Sequence, residues 1–179
     1  MRSRQPLPDT WLMTDERLGG GLLDAVGRLP PGAGIVFRHY SLAAAERRTL
    51  FDRVRAAAAA RGLLLLLAGP AAEARAWGAD GSHGRGPGMG LRSAPAHDLK
   101  EIRAAEAAGA GLVFLSPVFA TRSHPGARPL GRLRFGLLAR ATVLPVIALG
   151  GMDAARGQTL RALGAYGWAG IDAWRADES

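Results

Sequence analysis

The amino-acid sequence predicts a parallel α/β fold, and within that class a (β/α)8 barrel. Short apolar runs alternate with segments whose apolar residues recur at helical spacing, and no hairpin signal joins one run to the next. Eight strand segments of this kind fit along the 179 residues. Eight units favour a closed barrel, and an open doubly wound sheet is the alternative.

Most of the predicted strands are short apolar runs bounded by glycine, proline or polar residues. Leu63–Leu67 illustrates the pattern, because five consecutive leucines between Gly62 and Gly69–Pro70 are typical of a strand buried on both faces. The full set of predicted strands is Trp11–Thr14, Gly34–Phe37, Leu63–Leu67, Gly81–His83, Leu91–Ala96, Leu112–Leu115, Leu144–Leu149 and Trp168–Ala173.

The segments between the strands are predicted to be helices, and several carry a start signal. Ser41 and Asp153 are suited to cap helix N-termini, and Pro70 suits a first helical position. Helix 4 is reduced to the glycine-rich loop Gly84–Gly90 and helix 8 is missing, which accounts for a chain shorter than the roughly 200 residues usual for this fold. The predicted helices are Leu22–Leu29, Ala43–Arg61, Pro70–Trp77, Asp98–Ala108, Phe135–Ala141 and Asp153–Leu163.

Length and composition indicate one globular domain covering residues 1–179. Hydrophobic residues make up 48% of the chain, and there is no cysteine to form a disulfide or a thiolate metal site. The N-terminal residues lack a signal-peptide pattern, and every apolar run is far shorter than the roughly 18 residues of a membrane span. We therefore expect a cytoplasmic protein with no membrane partner.

The formal net charge of +8 is a feature of many nucleic-acid-binding proteins. However, 22 of the 23 basic residues are arginines, and they are scattered along a chain rich in alanine and glycine. The few aromatic residues are not interleaved with the basic ones, so no stacking platform is predicted. We expect no nucleic-acid partner; steeply salt-dependent binding to arbitrary duplex DNA would contradict this.

The long loop after the sixth predicted strand is the first candidate site. Thr121 and Ser123 alternate there with two cationic side chains, Arg122 and His124. Hydroxyl groups, backbone N–H groups and cations that follow a buried strand suit a phosphate or a carboxylate. A solvated arginine-rich loop is the alternative interpretation of this stretch taken alone.

Active sites of (β/α)8 barrels lie at the C-terminal ends of the strands, and phosphate groups are held by the loops after strands 7 and 8. Gly150 and Gly151 follow the seventh predicted strand and precede a helix, so their N–H groups can approach a phosphate. A plain strand-to-helix turn is the alternative. The same rule places Arg38, after the second strand, on this face.

Five segments resemble the thiamine phosphate synthase/TenI family, in the family's order and spacing. They are LMTDER (Leu12–Arg17), GADGSH (Gly78–His83), HDLKEI (His97–Ile102), SPVFATRSHPG (Ser116–Gly126) and PVIALGGM (Pro145–Met152). Members of this family are (β/α)8 barrels. Its synthases join a pyrimidine diphosphate to a thiazole phosphate with Mg²⁺, and its TenI-type members isomerise a thiazole phosphate. The resemblance therefore implies a role in thiamine biosynthesis.

The resemblance implies that the thiazole-phosphate half of the site is retained. Thr121 and Ser123 match two hydroxyl positions of the family, and Gly150–Gly151 matches its phosphate-binding glycines. Arg38 matches a family arginine, and Arg122 would add positive charge. We expect these residues to bind a phosphorylated thiazole or thiamine phosphate.

By the same comparison, most of the family residues that bind the pyrimidine diphosphate are absent from this chain. Val36 and Tyr40 stand where the family has glutamine and lysine, and Ala68 and Gly69 replace an asparagine and a metal-binding aspartate. Gly88 stands where the family has its second metal-binding aspartate. Because Mg²⁺ needs oxygen ligands, we expect no metal, no other cofactor and no standard Mg²⁺-dependent coupling.

Catalysis by the TenI route also lacks its usual residue. Pro117 stands at the position of the catalytic histidine, and His124 replaces a family lysine. His124 could move a proton near neutral pH, and Arg38 is the second candidate catalytic residue. A metal-free thiazole isomerase and a non-catalytic binder or regulator are thus the two alternatives. We expect His83 to be structural and His97 to belong to a helix N-terminus.

A missing helix 8 also bears on assembly. Without it, apolar barrel surface beside the first and last predicted helices, Leu22–Leu29 and Asp153–Leu163, would be exposed. We therefore expect a homodimer that covers this surface.

Overall fold

The computed structural model describes residues 6–121, 126 and 128–175 and is a closed barrel of eight parallel strands. The strands follow one another around the barrel in chain order, and the first pairs with the last, with Trp11 opposite Ala169. The predicted (β/α)8 fold class is therefore confirmed. The strands are β1 (Thr10–Met13), β2 (Gly34–Phe37), β3 (Leu64–Ala68), β4 (Gly81–His83), β5 (Leu91–Ala96), β6 (Leu112–Leu115), β7 (Val146–Leu149) and β8 (Gly167–Gly170).

Helices surround the barrel and connect most of the strands. Two 3-10 segments, Glu16–Gly21 and Asp172–Trp174, follow β1 and β8. Among the described residues, no helix has both the length and the apolar character needed to cross a membrane. The α-helices are α1 (Leu22–Arg28), α2 (Ala44–Ala60), α3 (Ala71–Trp77), α4 (Leu99–Ala107), α5 (Gly131–Arg140) and α6 (Ala154–Arg161).

The two predicted N-caps have different outcomes. Asp153 caps α6 as predicted, because its carboxylate accepts the backbone N–H of Arg156 at 2.8 Å. Ser41 does not cap α2, whose N-cap is Ala43. Instead, the backbone N–H and hydroxyl of Ser41 donate to Glu16 Oε1 at 3.1 and 3.0 Å. This contact spans 25 residues, so local sequence could not reveal it.

The barrel interior is filled by alternate residues of the strands, as the two-residue period of a β-strand requires. Trp11 fills the N-terminal end, where a Cβ atom on the facing Gly34 would lie 2.2 Å from its ring. The Trp11 ring also meets the edge of Phe114, with 5.4 Å between centroids. The buried hydrophobic interior comprises Trp11, Met13, Val36, Leu66, Ala68, Leu112, Phe114, Ile147 and Ala169.

The loop Gly84–Gly90 connects β4 directly to β5, so a loop replaces the helix that a complete barrel has between these strands, as predicted. Arg92 in β5 is only 6% exposed, although no carboxylate pairs with it within the described chain. Its Nη1 donates to the Gly86 carbonyl at 2.6 Å, and its Nη2 donates to the Ala108 carbonyl. Arg92 therefore ties this loop to the end of α4.

A short turn follows β8 where a complete barrel carries helix 8. Trp174 in this turn stacks on Trp168, with 5.3 Å between ring centroids, and its indole N–H donates to the Trp11 carbonyl at 3.2 Å. The predicted eighth strand, which ended at Ala173, is therefore too long. Within the described chain, α1 and α6 expose no large hydrophobic side chain, so the surface from which we predicted a homodimer is already covered.

Candidate functional site

A cavity of about 150 Å³ opens at the C-terminal ends of β5 to β8, the face on which (β/α)8 barrels carry their sites. Four residues predicted from sequence line it together: Arg38, Thr121, Gly150 and Gly151. Three further polar residues line the same cavity: His97, Ser116 and Asp172.

Gly150 and Gly151 form the turn from β7 into α6, with φ angles of +99° and +61°. A Cβ atom on Gly150 would lie 2.8 Å from the Cα of Pro117, and one on Gly151 would lie 2.5 Å from the Ala120 carbonyl oxygen. Glycine is thus required here by packing and by backbone conformation. Neither glycine N–H donates to a residue in the described part of the chain. The turn leaves two donors in front of a helix N-terminus, a geometry suited to phosphate.

Arg156 braces this turn and was not predicted from sequence. Its Nη1 donates to the Gly151 carbonyl, and its guanidinium lies 5.0 Å from the centroid of the Phe119 ring. Its Nε lies 3.7 Å from the carboxylate of Asp153. The three-residue spacing from Asp153 was the only local signal of these contacts. Arg156 brings a cation to the edge of the candidate phosphate site.

The loop after β6 contributes Thr121 to the cavity wall. The other predicted site residues of this loop, Arg122, Ser123 and His124, lie outside the described residues. Their proposed roles therefore stay predictions.

Arg38 reaches the cavity from the C-terminal end of β2. Its Nε donates to the Thr14 carbonyl at 2.6 Å, and its Nη2 donates to Asp15 Oδ2 at 2.8 Å. Its Nη1 has no hydrogen bond to a described residue, so one edge of the guanidinium is available to a ligand. Burial lowers the pKa of Arg38, and the charge of Asp15 opposes this effect. An arginine at this position stays a cation at neutral pH.

Asp15 links Arg38 to a second arginine at the cavity rim. Its Oδ1 accepts the Nε of Arg17 at 2.8 Å, and Arg17 Nη1 lies 3.8 Å from the carboxylate of Asp172. Partial burial acts to raise the pKa of Asp15, but hydrogen bonds from Arg17 and the charges of Arg17 and Arg38 hold it below its usual value. Alternating charges therefore run along the rim from Arg38 to Asp172.

Two buried histidines near this face are structural. His39 Nδ1 lies 3.0 Å from the Thr14 hydroxyl, and burial lowers the pKa of His39. His83 faces the barrel interior, where its Nδ1 lies 2.9 Å from the Ser93 hydroxyl. Burial, with the charges of Arg38 and Arg85, lowers the pKa of His83 to about 4. His83 is therefore neutral at pH 7, in agreement with its predicted structural role.

His97 is a cavity residue that the sequence analysis assigned only to a helix N-terminus. It directly follows β5 and precedes Asp98, the N-cap of α4. Its Nδ1 lies 2.7 Å from Glu101 Oε2, and its backbone N–H donates to the same oxygen at 2.8 Å. The signal in the sequence was a histidine at a strand end followed by a glutamate four residues later.

On the opposite side of the barrel mouth, the loops after β3 and β4 pack closely against the start of α3. A Cβ atom on Gly88 would lie 2.4 Å from the Cβ of Ala71, and one on Gly69 would lie 2.8 Å from Glu73 Oε2. Gly69 also has a positive φ of +148°. In the described part of the chain, no three His, Asp or Glu side chains are grouped so that they could hold a metal ion. The residues at the two positions matched to metal aspartates therefore do not fit a Mg²⁺ site.

Arg47 occupies the space above the ends of β2 and β3. Its guanidinium donates to the Arg38 carbonyl at 2.9 Å and to the Ala68 carbonyl at 2.6 Å, and lies 3.6 Å from Glu73. It also lies 5.3 Å from the centroid of the Trp77 ring. The side chain is only 11% exposed, and its guanidinium contacts other groups of the protein.

Comparison with known proteins identifies the relatives of this chain. A family model described as thiamine monophosphate synthase matches residues 23–174. Over 76 residues the chain is 41% identical to a protein of Aquifex aeolicus whose name places it among thiamine-phosphate synthases. Over 79 residues it is 43% identical to the thiamine-phosphate synthase of Salinispora tropica. These alignments cover 42% and 44% of this chain, but only 41% and 38% of the two relatives.

A solved structure shows the same fold. Thiamine phosphate pyrophosphorylase from Pyrococcus furiosus superposes with a TM-score of 0.77 and 21% sequence identity. The match covers 96% of this chain and 89% of that one. At this level of identity, the similarity establishes the barrel architecture alone.

Proposed function

The chain belongs to the thiamine monophosphate synthase family, and we propose that it binds a phosphorylated thiazole or thiamine phosphate in thiamine biosynthesis. The ligand would lie in the cavity at the C-terminal ends of β5 to β8, with its phosphate at the Gly150–Gly151 turn. Thr121 would donate a hydroxyl hydrogen bond, and Arg38 would supply positive charge. The predicted contacts of Arg122 and Ser123 belong to the same proposal.

One observation carries this proposal: the cavity brings hydroxyl, cationic and free backbone donors together. Gly150 and Gly151 present N–H groups without a described acceptor, and Thr121 and Arg38 line the same cavity. The two glycine N–H groups, which lack an acceptor among the described residues, would cost free energy if buried by a ligand that could not accept from them. A phosphate, with several acceptor oxygens and negative charge, would satisfy them.

We propose that the chain does not carry out the Mg²⁺-dependent coupling of the synthases. A diphosphate leaving group develops negative charge, which a synthase must neutralise with metal ions and fixed cations. Gly69 and Gly88 supply no carboxylate, and at Gly88 there is also no room for one, since an added Cβ would lie 2.4 Å from the Cβ of Ala71. The nearby cation Arg47 is held by two backbone carbonyls.

Two functions are compatible with a site limited to the thiazole half. In the first, the protein isomerises a thiazole phosphate without metal, with His124 and Arg38 as the candidate catalytic residues predicted from sequence. In the second, it is a non-catalytic binder or regulator, which the loss of both metal carboxylates favours. Turnover separates the two, because a binder is stabilised by the ligand but forms no product. Unchanged turnover in His124→Ala would remove His124 from the first function.

Thermal unfolding with added ligands tests the binding proposal. Thiazole phosphate, thiamine phosphate and the pyrimidine diphosphate are each added with and without Mg²⁺. A ligand at about 100 times its Kd adds about 2.7 kcal/mol, or roughly 5–10 °C in Tm for a chain of this size. We expect stabilisation by the thiazole compounds that is independent of Mg²⁺. Stabilisation by the diphosphate only with Mg²⁺ would show that the synthase site is functional, and no response to any ligand would refute the proposal.

Thr121→Val tests whether the threonine hydroxyl holds the ligand. The substitution keeps the shape of the side chain and removes one hydrogen bond to a charged group, so Kd should rise about tenfold. Thr49→Val is the matched control, because the Thr49 hydroxyl donates to the Ala45 carbonyl on α2, away from the cavity. Equal Kd values for the two variants would exclude Thr121 from the site.

Homodimer formation and a cytoplasmic location also stay proposals. The surface beside α1 and α6, from which the dimer was predicted, is covered in the described chain, so the dimer proposal depends instead on α5. Leu133 and Leu137 lie one turn apart on that helix, with 80% and 66% of their surface exposed. Sedimentation as a monomer at every protein concentration would refute the dimer.

A further inference from the structure

We propose that His97 is the group that transfers the proton when a thiazole phosphate is isomerised in this cavity, with Glu101 as its positioning residue. The inference rests on the proposed function, since it requires the thiazole phosphate to bind beside the Gly150–Gly151 turn. It assigns to a described residue a role for which sequence reasoning offered only His124.

Two hydrogen bonds to one carboxylate oxygen fix the position of His97. Glu101 Oε2 lies 2.7 Å from His97 Nδ1 and accepts the His97 backbone N–H at 2.8 Å. The other oxygen, Oε1, accepts from Arg85 at 2.7 Å, and the Glu101 backbone N–H donates to Asp98 at 2.8 Å. Glu101 is thus held on both sides, and it holds the imidazole in one orientation.

The Glu101 contact also determines which ring nitrogen faces a ligand. An ionised carboxylate can only accept hydrogen bonds, so Nδ1 must carry the proton. Partial burial acts to raise the pKa of Glu101, but hydrogen bonds from His97 and the charge of Arg85 hold it below its usual value, so it is ionised at neutral pH. In the neutral imidazole Nε2 is then a proton acceptor. Nε2 has no hydrogen bond to a described residue.

His97 shares the cavity with the proposed phosphate site. His97 lines the same 150 Å³ space as Thr121, Gly150 and Gly151. Among the described lining residues it is the only imidazole. The one carboxylate among them, Asp172, lies near Arg17. A thiazole ring attached to a phosphate at the turn would therefore lie within the space that His97 borders.

The proposed step moves one proton and needs no co-reactant. Nε2 of neutral His97 removes a proton from one carbon of the bound ligand, and the electron pair of that C–H bond is delocalised over the thiazole system. The imidazolium then returns a proton from Nε2 to a second carbon, which completes the isomerisation. The Glu101 carboxylate stabilises the imidazolium, and Arg38 lies in the same cavity as a cation for the transient anion.

His97→Gln and Glu101→Gln test the proposal, with Glu106→Gln as a matched control. Glu106 lies on the same helix but pairs with Arg103 and Thr142, outside the cavity. Proton transfer is followed by ¹H NMR as deuterium incorporation from D₂O into thiazole phosphate, and binding is followed by thermal unfolding. We expect His97→Gln to lower the exchange rate by about 100-fold or more while ligand stabilisation persists. Glu101→Gln should lower kcat with KM little changed, and Glu106→Gln should match the unmodified protein.

The outcomes separate failure of this inference from failure of the proposed function. If thiazole phosphate does not stabilise the unmodified protein, the proposed binding fails and this inference fails with it. If the ligand stabilises the protein but His97→Gln exchanges deuterium at the normal rate, only the inference is overturned. Stabilisation without exchange in the unmodified protein also overturns it and favours the binder. Loss of exchange in His124→Ala but not in His97→Gln would show that His124, and not His97, transfers the proton.

Discussion

The buried histidine His83 makes the stability of the barrel depend on pH in a predictable way. Its pKa falls from the ordinary value of 6.5 to about 4, because burial and two nearby arginines disfavour the charged ring. Between these two pH values the unfolded chain binds a proton that the folded protein does not. The stabilising contribution is therefore fully present above pH 6.5 and is lost as the pH falls toward 4.

The pKa difference sets the size of the effect. At pH 5 the lost stability is about 2 kcal/mol, and well below pH 4 it approaches about 3 kcal/mol. His83→Asn is the informative substitution, because the asparagine amide can replace Nδ1 in the contact with Ser93 but does not titrate. Loss of the ring contact with Phe114 lowers stability equally at every pH.

Urea unfolding of both proteins at pH 7.5 and pH 5.0 measures this contribution. Carboxylates such as Asp9 and Asp15, whose pKa values are lowered in the folded state, weaken both proteins equally on acidification. The free energy of unfolding of His83→Asn should therefore fall by about 2 kcal/mol less than that of the unmodified protein. Parallel pH dependences would show that His83 is not held neutral inside the barrel.

The loop Gly84–Gly90, which connects β4 to β5 in place of a helix, gives two further predictions. Gly88→Asp should lower the free energy of unfolding by about 1–3 kcal/mol, since its Cβ would lie 2.4 Å from that of Ala71, and it should not create a response to Mg²⁺. Gly86→Asp adds the same charge in open space and should be tolerated; equal urea midpoints for the two variants would contradict the packing argument. Arg92→Met should raise hydrogen exchange in Gly84–Gly90, because two hydrogen bonds that involve this loop and α4 are removed. Unchanged exchange there would mean that Arg92 does not hold the loop.

The fold was predictable because each strand is a local pattern. The ranges of β2 and β6 were predicted without error, since both are apolar runs between clear helix and loop signals. The errors arose where a distant contact changed the local preference. Ser41 binds Glu16 instead of capping α2, and the apolar residues after Gly170 pack as a turn over Trp168 instead of extending β8.

The site was only partly predictable, for a related reason. Thr121 and the two glycines were found because hydroxyl groups and a Gly-Gly turn after buried strands are local signals. His97 was assigned to a helix N-terminus, which is true of its backbone but does not describe its side chain. Its position in the cavity depends on β6, β7 and β8, which follow it in the chain. No periodicity within HDLKEI could show which face the imidazole occupies.

Glycine has opposite consequences on the two sides of the barrel mouth. At Gly150 and Gly151, which line the cavity, it leaves two N–H groups without an acceptor among the described residues. At Gly88 it allows the backbone of the loop to approach Ala71 so closely that no side chain fits. From sequence alone, the replacement of an aspartate by glycine indicated only a missing ligand, whereas the structure places a packed contact there.

The contact at Gly88 also limits the size of the ligand. A ligand confined to the cavity beside the Gly150–Gly151 turn would avoid this contact. A second ring that extended toward β3 would meet Arg47, which already donates to the Ala68 carbonyl. The comparison of thiazole phosphate with thiamine phosphate therefore measures how far this side of the mouth excludes a pyrimidine.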